Sequence, residues 1–232
     1  MQLVSMDMPV TLQSFSIFED FNPRLNPSHR APDWIPSRPI MAKALARSSH
    51  GLSHLLVSRC LDAKDFFADF LPNTGMDVKP IWSNLRTLSL TSLGLSWATS
   101  KGSLVSLFKA AASAAMNMPR LEVLEIWNAA GGETNCIVRY SIKDQEPRLT
   151  WRGSWTPGTE LKNSLVESWQ TVTSYLTTLR YKEKGELTAS FDLIWVDGEM
   201  SEMLPHLELR DQILHPVSQY QLAWESQNDW RG

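Results

Sequence analysis

Few residues in this 232-residue chain stand at spacings that could do chemistry. His50 and His54 are four apart, the spacing that sets two imidazoles on one helix face to hold a metal ion. Gly51 lies between them in a stretch that reads as a strand, and no third ligand has a matching spacing, so no metal site is expected. Glu122 and Glu125 offer two carboxylates for acid–base work, but on a strand they face opposite sides. Asp192, Asp197, Glu199 and Glu202 gather in a turn region and read as a solvated face. Cys60 and Cys136 carry no neighbour pattern that lowers a thiol pKa, and they read as buried or partly buried thiols. Gly131-Gly132 has no donor-rich helix after it and reads as a tight turn into the strand holding Cys136. His215-Pro216 reads as a local backbone device. There is no Gly-x-Ser-x-Gly elbow and no Gly-x-x-x-x-Gly-Lys-Ser/Thr phosphate loop. The expectation is a chain with no catalytic residue, no cofactor and no metal.

The elements that would position these groups are announced by a recurring pattern, Leu-x-x-Leu-x-Leu. It is clean at Leu85, Leu88, Leu90 and at Leu204, Leu207, Leu209. Looser copies are Leu12, Phe15, Ile17; Leu52, Leu55, Val57; Leu121, Leu124, Ile126; and Leu176, Leu179, Tyr181. The copies starting at Leu12, Leu52, Leu85 and Leu121 are 40, 33 and 36 residues apart. Strand–loop–helix units of that uneven length predict an irregular, leucine-rich-repeat-like α/β array in which neighbours must stack to bury their apolar faces.

Between the strands, Pro23, Pro27, Pro32 and Pro36 predict an irregular loop, and Pro39 suits the first turn of a helix ending near Gly51. Asp62 is placed to cap a short helix carrying Phe66, Phe67 and Phe70, before a turn-rich stretch with Pro72, Asn73, Gly75 and Pro80. Ser103 is placed to cap an alanine-rich helix that stops at Pro119. The second half inserts an antiparallel hairpin, Ile137 to Ser141 against Arg148 to Arg152. A long helix, Leu161 to Leu179, follows, with the Leu176 copy overlapping its end. Strands are expected at Leu187 to Val196 and Leu204 to Leu209. The organisation expected is one domain over 1–232, truncated at its N-terminus, with residues 1–50 irregular, 51–218 the main body and 219–232 a polar tail.

Composition narrows the function classes. With 43% hydrophobic and 20% charged residues the chain can bury a sizeable core. Its net charge of −3 and lack of a basic block give no reason to expect nucleic acid or an anionic membrane as partner. The apolar runs fall short of a membrane span, Met1 to Val10 does not read as a signal peptide, and two cysteines make no disulfide framework. An intracellular protein, cytoplasmic or nuclear, is expected. Ten tryptophans is a high count that predicts mostly core packing, with a few left as binding anchors.

If the leucines point inward, strand alternation turns the residues between them outward. That places Thr87, Ser89 and Thr91, then Val123, Glu125 and Trp127, then His206, Glu208 and Arg210 on one polar partner-binding face with Trp127 as its aromatic anchor.

Several segments together, Trp82-Ser83-Asn84-Leu85-Arg86-Thr87-Leu88, Met118 to Asn128, Val138-Arg139-Tyr140, Leu149-Thr150-Trp151 and Ile213 to Ser218, resemble fungal F-box-like proteins with a carboxy-terminal domain of unknown function. The resemblance spans Phe66 to Gln221. It implies a non-catalytic protein-interaction domain, the substrate-recognition part of a ubiquitin ligase, with a protein partner. A Skp1-type adaptor is implied only if an F-box lies upstream, since residues 1–50 show no such helical pattern. The alternatives are an enzyme of unrecognised class and a fragment of a longer protein without independent function.

Overall fold

The computed structural model describes residues 8–19, 38–71, 80–129, 134–194 and 200–227. The proline-rich loop at 23–36, the turn at 72–75, Gly131-Gly132, Asp197, Glu199, Trp34, Trp195 and Trp230 lie outside them. Within the described residues the chain is a mixed α/β structure built on one seven-stranded sheet whose spatial order is the sequence order. Four parallel strands come first: β1 (Ser14–Phe18), β2 (His54–Ser58), β3 (Thr87–Thr91) and β4 (Val123–Asn128). The expected hairpin, β5 (Cys136–Lys143) and β6 (Glu146–Gly153), follows antiparallel, and β7 (Thr188–Leu193) pairs parallel with β6.

Helices return the chain between parallel neighbours. They are α1 (Pro39–Ser48), α2 (Ala63–Phe66) with a 3₁₀ turn at Ala68–Phe70, α3 (Lys101–Ala115) and α4 (Thr159–Tyr181). Pro39 opens α1, and the Asp62 carboxylate caps α2 by accepting from the Lys64 N–H at 2.8 Å. The cap of α3 corrects the sequence reading. Ser100, not Ser103, is the capping residue; its hydroxyl accepts from the Ser103 N–H at 3.3 Å, so the helix starts nearly one turn earlier. Leu176 is buried within α4 rather than on a strand.

The leucines of the pattern, Leu55, Leu88, Leu90, Leu124 and Ile126, face the helices in one apolar cluster. Tryptophan packs that layer: Trp82 stacks on Phe66 and Phe70 at 5.8 and 5.7 Å while its N–H donates to the Ser49 hydroxyl at 2.9 Å. Trp169 stacks on Tyr140 at 4.7 Å, and Trp151 meets Phe108 edge-on. Both thiols are buried, Cys60 pushed up to about 12 by burial and then by the Glu19 carboxylate, and Cys136 raised well above its ordinary value by burial alone. Neither thiol is expected to react with Ellman's reagent at pH 8 until denaturant is added; stoichiometric labelling of the native chain would contradict their placement.

The hairpin turns on Asp144 and Gln145, both left-handed at φ 50° and 67°, the mirror-image turn that matches strand twist. At its far end Gly153 lies against the opposite strand, where an added Cβ would sit 2.7 Å from the Asn135 carbonyl oxygen. Gly153→Ala is therefore expected to cost about 1–3 kcal/mol in urea unfolding through forced backbone displacement.

The sharpest departure from the sequence reading is Leu204 to Leu209. It is no strand: α5 (Met200–Met203) runs into a 3₁₀ turn at Leu204–His206, a short extended step, and α6 (Arg210–Ile213), followed by α7 (Pro216–Gln227). Leu204, Leu207 and Leu209 are buried, but against the sheet face opposite α3 and α4, in a second apolar cluster with Leu56, Val123, Trp127 and Ile137.

Candidate functional site

Alternation puts a single rung of side chains across that second face, from one edge of the sheet to the other. It reads Ser16, Leu56, Ser89, Glu125, Arg139, Thr150, Ser190. The rung beside it carries Ser14, His54, Thr87, Val123, Ser141, Arg148 and Thr188. Of the nine residues expected to face a partner, the six on strands share this face, which the segment over 203–214 covers in part, and the other three lie in that covering segment. Thr87, Ser89, Thr91, Val123, Glu125 and Trp127 are all buried, while His206, Glu208 and Arg210 are half-buried within the cover itself. The strand residues are on the expected side of the sheet and are not exposed, a correction that follows from the misread segment.

The three buried hydroxyls of β3 each have a partner, while the Ser58 hydroxyl at the end of β2 is buried without one. The Thr87 hydroxyl sits 2.8 Å from His54 Nδ1 and donates to the Gln212 side-chain oxygen at 3.4 Å. Ser89 accepts from the Trp127 indole N–H at 3.2 Å, and Thr91 accepts from the Arg59 N–H at 2.7 Å. His50 Nδ1 meets the Arg47 carbonyl oxygen at 2.9 Å, so the two histidines serve separate local bonds. Among the described residues no group of three His, Cys, Asp or Glu is placed to hold a metal ion.

Glu125 and Arg139 sit at the border between the covered and the open half. The Glu125 side chain has no exposed surface and accepts from Arg139 Nε at 2.7 Å, the Glu208 N–H at 2.8 Å and the Leu209 N–H at 3.2 Å. Burial raises the Glu125 pKa, and the Arg139 charge and the main-chain donors pull the other way. A second Arg139 nitrogen donates to the His206 carbonyl at 2.6 Å, and Lys143 pairs with Glu208 at 2.9 Å. The sheet thus holds a peptide segment by its main chain, with a carboxylate reading two N–H groups and a guanidinium reading a carbonyl.

Among the described residues the cover stops beyond Arg139. The face of β5, β6 and β7 is open as a polar trough of about 490 Å³ lined by Arg139, Ser141, Lys143, Arg148, Thr150, Arg152, Thr188 and Ser190, and by the carboxylates of Asp144, Glu146 and Glu208. Sequence reasoning missed all of these residues but Glu208, because the hairpin was read only as an insertion. The alternation of Arg148, Thr150 and Arg152 was the available signal. A second, more apolar cleft of about 460 Å³ lies between the starts of α3 and α4, walled by Trp97, Leu104, Trp155 and Leu161, with Lys101 and Glu160 paired there. Trp97 is 58% exposed, unlike Trp82, Trp127, Trp151 and Trp169.

A family of unknown function, DUF6546, matches residues 7–215. The chain belongs to that family. The DUF6546 match takes in all seven strands and the cover over 203–214, so the covered face is part of the family's domain. No curated protein and no solved structure matches the chain. No helix among the described residues is long and apolar enough to cross a membrane.

His206 gives this region a pH signature. Its pKa is lowered from 6.5 by burial first, then by the charges of Arg152 and Arg139. The folded chain therefore favours the neutral imidazole, and the unfolded chain takes up its proton near pH 6.5. The contribution is present in full above that value and is lost as pH falls below it toward the folded pKa. Stability of the native chain is expected to fall more steeply from pH 7 to 5 than that of His206→Gln; parallel curves would show that His206 is not desolvated.

Proposed function

We propose that this chain is a non-catalytic, leucine-rich-repeat-like protein-interaction domain that docks a peptide segment of a protein partner on the open half of its second sheet face. Four parallel strands in sequence order, each joined to the next through helical turns, support the repeat-like reading. The observation that carries the docking reading is the main-chain grip of Glu125 and Arg139 on residues 206–209. A face that holds one turn-rich segment by its main chain in this way continues without interruption along the same rung to Thr150 and Ser190. β7 is the edge strand of the sheet among the described residues, and such an edge is a common template for peptide addition. The nine residues expected from sequence to contact the partner give way in this reading to the trough beside them.

The stronger form, a substrate-recognition arm of a ubiquitin ligase, rests on the F-box-like resemblance and requires a Skp1-type adaptor on the full gene product. Peptide display on the purified chain tests the docking itself. Peptides enriched by the native chain are expected to be lost on Thr150→Arg combined with Ser190→Arg, which fills the trough from one half-buried and one exposed position. Equal enrichment by that variant would remove the trough from the reading, and failure to recover the adaptor with the full gene product would sink the ligase form.

A further inference from the structure

Two of the arginines lining the trough, Arg148 and Arg152, are loosely held, and this says what its ligand must bring. Arg148, Thr150 and Arg152 stand at alternate positions of β6 on one face, successive residues of such a series about 6.6–6.8 Å apart. Thr150 is flanked on its rung by Arg139 and Ser190, and Arg148 on its rung by Ser141 and Thr188. Among the described residues the hydroxyls of Ser141, Thr150, Thr188 and Ser190 make no hydrogen bond within the chain. Arg152 Nε is buried with no hydrogen-bond partner, and the nearest approach of Asp192 to it is 3.8 Å, an ion pair without a hydrogen bond. Among the described residues Arg148 is held by exposed Glu146 alone, two positions back on its own strand. Exposed pairs of that kind contribute roughly 0–1 kcal/mol and yield readily to a better acceptor.

Resting on the docking reading above, we infer that the trough recognises a phosphorylated serine or threonine in the docked segment, its phosphoryl oxygens taken by Arg148 and Arg152 with the Thr150 hydroxyl between them. A planar carboxylate is satisfied by one guanidinium, whereas three donors spread along a strand suit the three free oxygens of a phosphate monoester. A nucleic-acid backbone fits poorly. Asp144, Glu146, Asp192 and Glu208 surround the trough, and the chain carries −3 overall, so a row of phosphates meets repulsion where a single one does not.

The test uses the whole chain and three synthetic peptide libraries that differ only at a fixed central residue: phosphoserine, serine or aspartate. The phosphoserine library is expected to bind at least tenfold better than the other two. That preference should disappear in Arg148→Ala and in Arg152→Lys, both of which keep the circular-dichroism spectrum and melting midpoint of the native chain. Phosphoserine-independent binding that is still lost on filling the trough overturns the phosphate inference and leaves the docking reading standing. Binding by no library, with inorganic phosphate up to 20-fold above the peptide concentration leaving the arginine side-chain NMR signals unmoved, overturns both. Retention of the preference in Arg148→Ala and Arg152→Lys places the phosphate elsewhere and overturns the site.

Discussion

Glu125→Ala is expected to lower the unfolding free energy by about 3–5 kcal/mol, the cost of breaking a buried ion pair from one side. The loss is larger than a single contact because the carboxylate serves three donors at once: Arg139 Nε and the N–H groups of Glu208 and Leu209. Removing it leaves two main-chain donors unpaired and takes from the half-buried Arg139 its nearest carboxylate, and unpaired buried donors are costly in their own right. Arg139→Ala should be damaging for the mirror-image reason, since it leaves a fully buried carboxylate beside the cover. The double variant should cost less than the sum of the two, because each substitution removes the other's unpaired partner. Urea unfolding of the three variants gives the numbers; additive losses, or a Glu125→Ala change within about 0.5 kcal/mol of zero, would show that the pair does not hold the cover.

Trp127→Ala is expected to cost about 3–5 kcal/mol of stability, the range for deleting a fully buried aromatic side chain. Trp127 has no exposed surface, packs with Leu56, Ile137 and the leucines of the cover, and donates its N–H to Ser89. The result separates two roles for one residue. A docking anchor on an open face would lose partner affinity on truncation while leaving the melting midpoint nearly unchanged. A core residue loses the midpoint, by several degrees per kcal/mol for a chain of this size. The structure assigns the second outcome.

Those two predictions concern the region where sequence reasoning succeeded halfway. The strands of the first half were legible because Leu88 and Leu90 alternate with Thr87, Ser89 and Thr91, a period of two that a helix cannot bury on one face, and the Leu-x-x-Leu-x-Leu spacing repeats around Leu55, Leu124 and Ile126. The hairpin was legible for the same reason. Leu204, Leu207 and Leu209 misled because a spacing of three then two is buried equally well by a 3₁₀ turn followed by an extended step, and Pro205 lies in that turn. What fixes the segment is the distant pair Glu125 and Arg139, opposite one another only once β4 and β5 are in register. Thr87, Ser89 and Thr91 read as partner-facing because they alternate with inward-pointing leucines; here His54, Trp127 and Arg59 satisfy them. Hydroxyl side chains do not tell from sequence alone whether water or a neighbour supplies the partner.

The order of the sheet has a consequence in time. Every strand pairs with the one made just before it, so the sheet can assemble as the chain leaves the ribosome. Its second face cannot be finished on that schedule: Ser16 in the first strand waits for the main chain of Gln212 and Ile213. Roughly 75 residues separate the end of β4 from the cover, about 4–15 s of synthesis at ordinary rates. Throughout that interval Leu56, Val123 and Trp127 stand uncovered on a nascent sheet, which makes this the stage at which the chain is most open to a chaperone or to a neighbouring copy.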